Sequence, residues 1–291
     1  MHLQGKTALV TGANSGLGKA VATALARGGA RVLMLCRDAG RGTAARDEIE
    51  AATGNARVEV LVCDLASQAD IRAAAAGVRQ RTGALHLLVN NAGTAFAERG
   101  LTADGIERSL AVNHLGPFLL TNLLLDLLRA GAAEGAGARI VNVGTKIDTA
   151  MDFSDLQWER RPYRMMGAYG ASKLGNVHFT RELARRLEGT GVTVNCVFPG
   201  VFLSNLGGTD GAQNLALKLF ARAFGWALPK PERAAERVLH LLTSDAVAGL
   251  SGTYFGDRKP IPAPAQADDP AANAALWRIS AGLAGLEAGG G

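Results

Sequence analysis

The chain has 291 residues, of which 48% are hydrophobic and 20% are charged, and its formal net charge is +5 at pH 7. This length allows one large α/β domain with a buried core, and the composition is ordinary for a soluble globular enzyme. The chain has no block of like charges and no basic stripe with interleaved aromatic residues, so nucleic-acid binding is not expected.

Strand-like and helix-like segments alternate along the chain. Short apolar runs rich in β-branched residues indicate strands at 7–12, 30–36, 58–64, 85–91, 138–144, 192–198 and 252–255. Helical periodicity indicates helices at 16–28, 39–53, 67–83, 103–131, 168–188 and 231–243, and a final short helix follows the proline-containing tail 259–264. The alternation predicts a single α/β domain over 1–291, with a parallel sheet covered on both faces. Ligands of such sheets bind beyond the carboxyl ends of the strands.

The first predicted strand runs into a glycine-rich turn, Thr11–Gly18, and then into a helix. Glycines let the backbone turn sharply and approach a pyrophosphate, which lies on the helix N-terminus. The strand–turn–helix context favours this interpretation over an ordinary turn with several glycines. The candidate cofactor contacts here are Gly12, Asn14, Ser15, Gly16, Leu17 and Gly18.

The second predicted strand ends in Cys36-Arg37-Asp38. A carboxylate at the strand end would bind ribose hydroxyls and repel a 2′-phosphate, but this position holds a neutral cysteine. Arg37 follows it, and a guanidinium is well shaped to bind phosphate. The pattern favours NADP(H) over NAD(H). In the alternative, Arg37 is a solvated loop residue and Asp38 faces the ribose.

The third and fourth predicted strands also end in candidate cofactor contacts. Asp64-Leu65 follows the third strand, where it is placed to meet the adenine edge. Asn91-Ala92-Gly93 follows the fourth, and its small and amide side chains allow close approach of the backbone to a cofactor. Either motif is also typical of a plain strand-to-turn junction.

Tyr169 and Lys173 are four residues apart on a predicted helix, so their side chains share one face. A lone phenol is a poor acid near neutral pH because its pKa is about 10. A neighbouring cation favours the phenolate and makes the group a more useful proton donor and acceptor. The spacing alone also suits a solvated helix pair, but the dinucleotide-binding pattern in the same chain favours a catalytic pair.

The cysteines and the apolar segments predict where in the cell the protein is located. Cys36, Cys63 and Cys196 lie at or near strand ends without metal-ligand spacing, which indicates core packing in a reducing cytoplasm and no metal site. The first strand begins almost at the start of the sequence, so no signal peptide is expected. No window approaches about twenty uninterrupted apolar residues, so no membrane span is expected.

Together the motifs resemble the short-chain dehydrogenase/reductase family over nearly the whole chain. They are Thr11–Gly18, Asp64, Asn90–Gly93, Asn113, Tyr169 with Lys173, and Pro199-Gly200. Stretches similar to its retinol-dehydrogenase-like branch are 36–38, 113–118, 172–176, 179–184, 252–255 and 276–277. The resemblance implies a single Rossmann-like doubly wound parallel sheet of about seven strands flanked by helices. It also implies homodimers or homotetramers formed through the two long helices near 103–131 and 168–188.

The resemblance assigns roles to individual residues. Tyr169 is the general acid in reduction and the base in oxidation, while Lys173 holds the nicotinamide ribose and lowers the pKa of Tyr169. Asn113 fixes a water that links Lys173 to solvent, whereas the neighbouring His114 is interpreted as structural. The nicotinamide carboxamide is assigned to the backbone around Pro199, Gly200, Phe202 and Ser204.

Gly144-Thr145 departs from the family pattern, which usually has two serines here, the second of which bonds the substrate oxygen. Threonine keeps a hydroxyl donor and acceptor, so Thr145 is expected to substitute for that serine. Its methyl group stiffens the side chain and takes space beside the reacting carbon. If the hydroxyl turns away, redox activity would be weak, or the site would do something else.

Two segments are expected to wall the substrate site. The insert, 146–168, has a length that suits the retinol-dehydrogenase-like branch. A lid region near 204–230 contains the crowded apolar run 215–226, which suits a helix over a lipophilic substrate. Contact with a membrane surface and packing on the body of the protein are the alternatives for that run.

The leading hypothesis is a cytoplasmic NADP(H)-dependent oxidoreductase that interconverts a carbonyl and an alcohol on a lipophilic or aromatic small molecule. The departure at Gly144-Thr145 motivates an alternative, a non-redox or cofactor-recycling biosynthetic enzyme that catalyses cyclisation, epimerisation or dehydration. A nucleotide sensor without catalysis is the third hypothesis. The joint presence of the tyrosine, lysine and asparagine argues against it, because a sensor needs only the phosphate cradle.

Overall fold

The structure, a computed structural model, describes residues 2–135, 137–146, 149–200 and 230–286. Its strands are β1 (Thr7–Thr11), β2 (Arg31–Cys36), β3 (Val58–Val62), β4 (Leu87–Asn90), β5 (Ala138–Val143), β6 (Val192–Phe198), β7 (Tyr254–Gly256) and β8 (Lys259–Pro260). They form one sheet in the order β3-β2-β1-β4-β5-β6-β7-β8, in which only the β7–β8 pair is antiparallel. The predicted Rossmann-like sheet is confirmed, and β8 adds a short edge strand to it.

The helices flank this sheet. They are α1 (Gly16–Arg27), α2 (Ala39–Thr53), α3 (Gln68–Arg81), α4 (Arg108–Leu110), α5 (Gly116–Leu123), α6 (Leu125–Ala133), α7 (Met165–Arg186), α8 (Pro231–Thr243) and α9 (Pro270–Leu283). A π-helical turn, Ala111–Leu115, connects α4 to α5. The expected lid region, apart from Lys230, lies outside the described residues.

Alternate side chains of the central strands enter two separate cores, one on each face of the sheet. Leu9 of β1 and Leu33 of β2 pack among residues of α3, α5 and α7. Val10 and Val32 pack among residues of α1, α2 and α8. Burial on both faces explains why these strands read as continuous apolar runs in the sequence.

The segment predicted as one helix over 103–131 is divided in the structure. It begins at α4, where the buried Glu107 carboxylate accepts hydrogen bonds from the N–H groups of Ser109 and Leu110 at 2.9 and 2.8 Å. The π-helical turn then widens the hydrogen-bond ladder, and Leu124 separates α5 from α6. Such turns are frequent at functional sites, which draws attention to the residues that this one carries.

Helix α9 packs against α5 and α7. The ring centroid of Trp277 lies 4.8 Å from that of Phe118 and 5.9 Å from that of Phe179. The Ser280 hydroxyl lies 2.8 Å from Nε2 of His114 in the π-helical turn. The helices that the resemblance assigns to subunit contact are therefore covered in part by the chain's own C-terminal helix.

Among the described residues, no single helix combines the length and hydropathy of a membrane span. One pair of segments, Arg108–Leu123 and Leu125–Ala133, reaches that hydropathy when joined, but it is bent by 55°. Both segments contribute buried side chains to the protein core, including Phe118 and Leu128.

Candidate active site

The glycine-rich loop after β1 is fastened to the end of β4 through Thr11. The Thr11 hydroxyl oxygen accepts hydrogen bonds from the N–H groups of Asn91 and Ala92 at 2.9 and 3.0 Å. Gly12 and Gly16 have φ angles of +65° and +52°, a region that residues with side chains seldom adopt. The loop therefore holds a shape that requires glycine, beside the predicted contacts of the fourth strand.

The N-terminus of α1 fits the pyrophosphate of a dinucleotide. Ser15 is the N-cap residue, but its side chain makes no cap bond in the described part of the chain, and the first turn of α1 contains no acidic residue. A Cβ at Gly18 would lie 2.3 Å from the carbonyl oxygen of Gly12, so the loop and helix meet too closely for a side chain. The free N–H groups and the positive end of the helix dipole favour an anion. The predicted contacts Gly12, Asn14, Ser15, Gly16, Leu17 and Gly18 all lie along this loop and helix start.

The end of β2 lies beside the glycine-rich loop. Burial raises the pKa of the Cys36 thiol to about 11, against the effect of backbone hydrogen bonds from that loop. The Asp38 carboxylate accepts a hydrogen bond from the N–H group of Arg41 at 2.7 Å and thereby caps α2. Arg37 is exposed. One oxygen of Asp38 is therefore engaged by its own helix, while the Arg37 side chain faces solvent.

Asp64 and Leu65 follow β3 at the same edge of the sheet. The Asp64 carboxylate accepts a hydrogen bond from the N–H group of Ala66 at 2.9 Å, and Leu65 is buried. The aspartate thus shapes the turn, as the strand-to-turn interpretation allows. Its contact with an adenine stays a prediction.

Tyr169 and Lys173 are both buried on α7, against the end of β5. The Lys173 ammonium donates a hydrogen bond to the carbonyl oxygen of Val143 at 3.0 Å. A Cβ at Gly93 would lie 2.7 Å from Lys173 Nζ, so the lysine occupies the room that this glycine leaves. The ends of β4 and β5 and one face of α7 therefore meet around a single ammonium group.

Burial moves the pKa values of this pair in opposite directions. It raises the pKa of Tyr169 to about 12, and a hydrogen bond with Thr145 opposes that rise. It lowers the pKa of Lys173 to about 8. The expected depression of the Tyr169 pKa by Lys173 is therefore not what the structure shows, because desolvation dominates and favours the neutral form of both groups.

Asn113 lies in the π-helical turn with its side chain buried. Its Oδ1 accepts a hydrogen bond from the N–H group of Thr94 at 2.8 Å, and its Nδ2 donates to the Thr94 carbonyl oxygen at 2.8 Å. The same Nδ2 donates to the Ser172 hydroxyl at 2.9 Å. The carboxamide thus ties the segment after β4 to α7, next to Lys173. The water-binding role that the resemblance gives Asn113 stays a prediction.

His114, the next residue, faces away from this group. Its Nε2 lies 2.8 Å from the Ser280 hydroxyl of α9. Burial lowers the pKa of His114 to about 3, and the nearby His178 lowers it further. The imidazole is therefore neutral at physiological pH, which agrees with its interpretation as a structural residue.

The departure from the family pattern at Gly144 has a packing cause. A Cβ at this position would lie 2.8 Å from Sγ of Cys196 on the neighbouring strand β6, so the sulfur occupies the space of a serine side chain. Tyr254 of β7 donates a hydrogen bond from its hydroxyl to the carbonyl oxygen of Thr145 at 2.9 Å. Thr145 also lies close enough to Tyr169 to oppose the rise in the pKa of that phenol. Its role as a replacement for serine stays a prediction.

The turn after β6 reaches the same edge of the sheet. Gly200 has a φ of +90°, and the Pro199 carbonyl oxygen accepts a hydrogen bond from Arg237 of α8 at 2.8 Å. These two predicted carboxamide contacts therefore follow the strand that pairs with β5. Phe202 and Ser204, predicted with them, lie outside the described residues.

The insert is anchored at both ends. The Tyr163 hydroxyl lies 3.0 Å from that of Ser109 and donates to the carbonyl oxygen of Phe96 at 3.3 Å. The Gln266 carboxamide pairs with the N–H and carbonyl groups of Met151, each at 2.8 Å. The insert therefore spans from the segment after β4 to the C-terminal tail.

Sequence reasoning missed several residues that support the site from distant parts of the chain. They are Glu107, Tyr163, Cys196, Arg237 and Tyr254. The carboxylate of Glu107, just before a helical stretch, is a helix-start signal that could have been read. The others act through partners far away in sequence. The sequence marks Cys196 only as a core thiol and Tyr254 only as part of the stretch 252–255.

Several known proteins resemble this chain in sequence and in fold. A sequence model described as short chain dehydrogenase matches residues 6–214. Retinol dehydrogenase 13 of Homo sapiens is 42% identical over 291 residues, which cover 98% of this chain and 86% of that protein. The crystal structure of an uncharacterized protein from Mycobacterium paratuberculosis has a TM-score of 0.79 and 31% identity, over 98% of this chain and 96% of that one. The RhlG/NADP active-site complex of Pseudomonas aeruginosa has a TM-score of 0.69 and 27% identity, over 88% and 96%.

Proposed function

The chain belongs to the short-chain dehydrogenase family, in its retinol-dehydrogenase-like branch, and on that premise we propose that it is an NADP(H)-dependent oxidoreductase acting on an apolar small molecule. It interconverts a carbonyl and an alcohol. The observation that carries this proposal is the group of Thr145, Tyr169 and Lys173 at the carboxyl end of β5. This edge is where open parallel sheets bind their ligands.

In this proposal the chain's own side chains move the proton and hold the substrate oxygen. A bound nicotinamide supplies or accepts the hydride. Tyr169 gives its proton to the substrate oxygen in reduction and takes it back in oxidation, since burial keeps the phenol protonated. Thr145 donates a second hydrogen bond to that oxygen and stabilises the negative charge that develops there. Lys173 holds the ribose and restores the proton to Tyr169.

A preference for NADP(H) is supported at the end of β2. Cys36 puts a neutral group where a carboxylate would repel a 2′-phosphate. Asp38, the alternative ribose ligand, already accepts the hydrogen bond that caps α2. The exposed guanidinium of Arg37 is left as the group with the right shape and charge for a phosphate.

An apolar substrate is supported by the insert. Met151 and Trp158 of the insert are buried. Its Arg161 lies 3.5 Å from the Asp155 carboxylate, and its guanidinium stacks 3.9 Å from the Trp158 ring centroid. These charges are engaged within the insert itself, so the wall it builds favours a lipophilic or aromatic molecule over an ionic one.

We also propose that the protein is located in the cytoplasm, a reducing compartment. Cys36, Cys63 and Cys196 are all free and buried, and burial raises the pKa of each thiol. Thiols of this kind pack as small apolar groups and persist unpaired where the medium is reducing. Localisation of the tagged full chain by microscopy tests this part.

The experiment that tests the function supplies NADPH or NADH with a panel of aliphatic, aromatic and polyene aldehydes and ketones. Loss of reduced-nicotinamide absorbance, faster with NADPH, is the expected result. Conversion of a substrate without net loss of reduced nicotinamide would favour the non-redox alternative. The departure at Gly144-Thr145 motivates that alternative, and the sulfur of Cys196 supplies a packing reason for the glycine. Failure of the chain to bind either nucleotide would overturn the proposal.

A further inference from the structure

Arg237 makes two directed contacts at the carboxyl edge of the sheet. Its Nη1 donates a hydrogen bond to the carbonyl oxygen of Pro199 at 2.8 Å. Its Nε donates to Oδ1 of Asp257, just after β7, at 3.1 Å. One guanidinium from α8 therefore joins the turn after β6 to the turn after β7.

The turn after β6 and this guanidinium fit each other closely. Gly200 has a φ of +90°, which lies in the region that favours glycine. A Cβ at Gly200 would lie 2.1 Å from Nη1 of Arg237, so the arginine occupies the place where a side chain would begin. The planar guanidinium keeps its two donors at a fixed angle, which a flexible ammonium cannot do. The arginine thus fills the space beside Gly200 and bonds the backbone of Pro199.

The backbone at the end of β6 lies beside the proposed catalytic residues. The N–H group of Gly144 donates to the carbonyl oxygen of Val197 at 2.9 Å, so the end of β6 lies beside the residue before Thr145. Lys173 donates to the carbonyl oxygen of Val143 on the same edge. A shift in the turn at Pro199 would therefore move backbone groups next to the catalytic residues. The glycine-rich loop follows β1, which is separated from β6 by β4 and β5.

We propose that Arg237 is a positioning residue for the nicotinamide half of the cofactor. It acts through the Pro199–Gly200 turn, whose backbone holds the carboxamide in the proposed function, on which this inference rests. The adenosine and pyrophosphate half is held at the ends of β1 and β2, far along the sheet order from β6. Removing Arg237 is therefore expected to weaken only interactions made by the nicotinamide.

Two ligands distinguish binding of the nicotinamide half of the cofactor from binding of the adenosine and pyrophosphate half. NADPH carries the nicotinamide, and 2′-phospho-ADP-ribose lacks it but keeps the adenosine, phosphates and ribose. Calorimetric titration of each ligand into the full chain should show that Arg237→Ala raises the Kd for NADPH about tenfold. The Kd for 2′-phospho-ADP-ribose should not change. Arg237→Lys should give an intermediate Kd for NADPH, because lysine can reach one acceptor but lacks the second donor in fixed geometry.

Arg233→Ala is the matched control, because Arg233 lies one turn earlier on α8 and is exposed. It removes the same charge and should leave both Kd values unchanged. Thermal unfolding of each variant checks that the chain is folded during the titrations. Equal weakening of both ligands by Arg237→Ala, or no weakening of either, would overturn the inference. If the unaltered chain binds neither ligand, the proposed function itself fails.

Discussion

Tyr169 and Lys173 show how far local spacing predicts chemistry and where it stops. Their separation of four residues places both on one face of α7, and the structure has them there. The spacing carries no information about burial, which raises the pKa of Tyr169 to about 12 and lowers that of Lys173 to about 8. The burial comes from the ends of β4 and β5, which are remote in sequence.

These pKa values predict the pH dependence of carbonyl reduction. Tyr169 stays protonated below its pKa of about 12, so it remains a proton donor over the accessible range. Lys173 loses its charge as pH rises through its pKa of about 8, and with it the proton that restores Tyr169. At saturating substrate, kcat for reduction should be constant below this pH and fall above it. A profile that stays flat or rises through this region would contradict the assignment.

Tyr169→Phe removes the hydroxyl that transfers the proton and keeps the buried ring. The variant should lose about 100- to 10,000-fold in kcat, with an unchanged Kd for NADPH. Tyr163→Phe is the comparison, because its phenol is also hydrogen-bonded but contacts Ser109 and Phe96 instead of the catalytic pair. Steady-state rates of both variants give kcat, and nucleotide titrations give the Kd for NADPH. Unaltered turnover by Tyr169→Phe would exclude it as the acid.

Gly93→Ala tests the space reserved for the Lys173 ammonium. The new methyl group would start 2.7 Å from Nζ, so the lysine must move, and turnover should fall by about 100-fold. Gly83→Ala introduces the same methyl group where no atom lies within 4 Å and should leave turnover unchanged. Rates and unfolding midpoints of the two variants provide the measurement. Equal rates in both would show that the lysine position does not depend on Gly93.

At the scale of elements, helical periodicity predicted a single helix over 103–131 where the structure has α4, a π-helical turn, α5 and α6. Periodicity reports which side chains are apolar, and these residues are indeed buried. It does not report the π-helical turn, because the residues of that turn bond to segments outside the helix. The Asn113 carboxamide bonds both backbone groups of Thr94, which lies 19 residues earlier in the chain. A window of local sequence does not show such a contact.

Glu107→Ala tests the start of this helical segment. The buried carboxylate satisfies two N–H groups, so its loss should lower the free energy of unfolding by about 2 kcal/mol. Asp269→Ala removes an exposed N-cap that serves one N–H group of α9, and it should cost only about 0.5 kcal/mol. Urea denaturation of both variants gives the comparison. A larger loss at Asp269 would contradict the role of burial.

At the scale of the whole molecule, the order of strands and helices was read from the sequence, and the parallel sheet followed from it. The strand-end motifs lie together in the structure because parallel strands bring their carboxyl ends to one edge. The antiparallel strand β8 was not predicted, since two residues that include Pro260 carry no strand pattern. The placement of α9 was not predicted either, because it depends on aromatic contacts with helices more than 90 residues away.

Trp277 makes the aromatic contacts that place α9 against α5 and α7. Trp277→Ala should lower the free energy of unfolding by about 3–5 kcal/mol, because the ring is buried against Phe118 and Phe179. Since α9 covers the part of these helices that carries Phe118 and Phe179, any dimer or tetramer of the full chain should form through other surfaces. Cross-linking of the full chain is expected to map its contacts away from these two side chains. A dimer whose interface, mapped by cross-linking, includes Phe118 or Phe179 would contradict this expectation.

The sulfur of Cys196 also constrains how this sequence can change over evolutionary time. Because a side chain at position 144 would begin 2.8 Å from Sγ, the buried sulfur must shift before any atom is added there. A larger residue at 144 is therefore expected to be better tolerated when position 196 holds a smaller one, so the effects of changes at the two positions should not add.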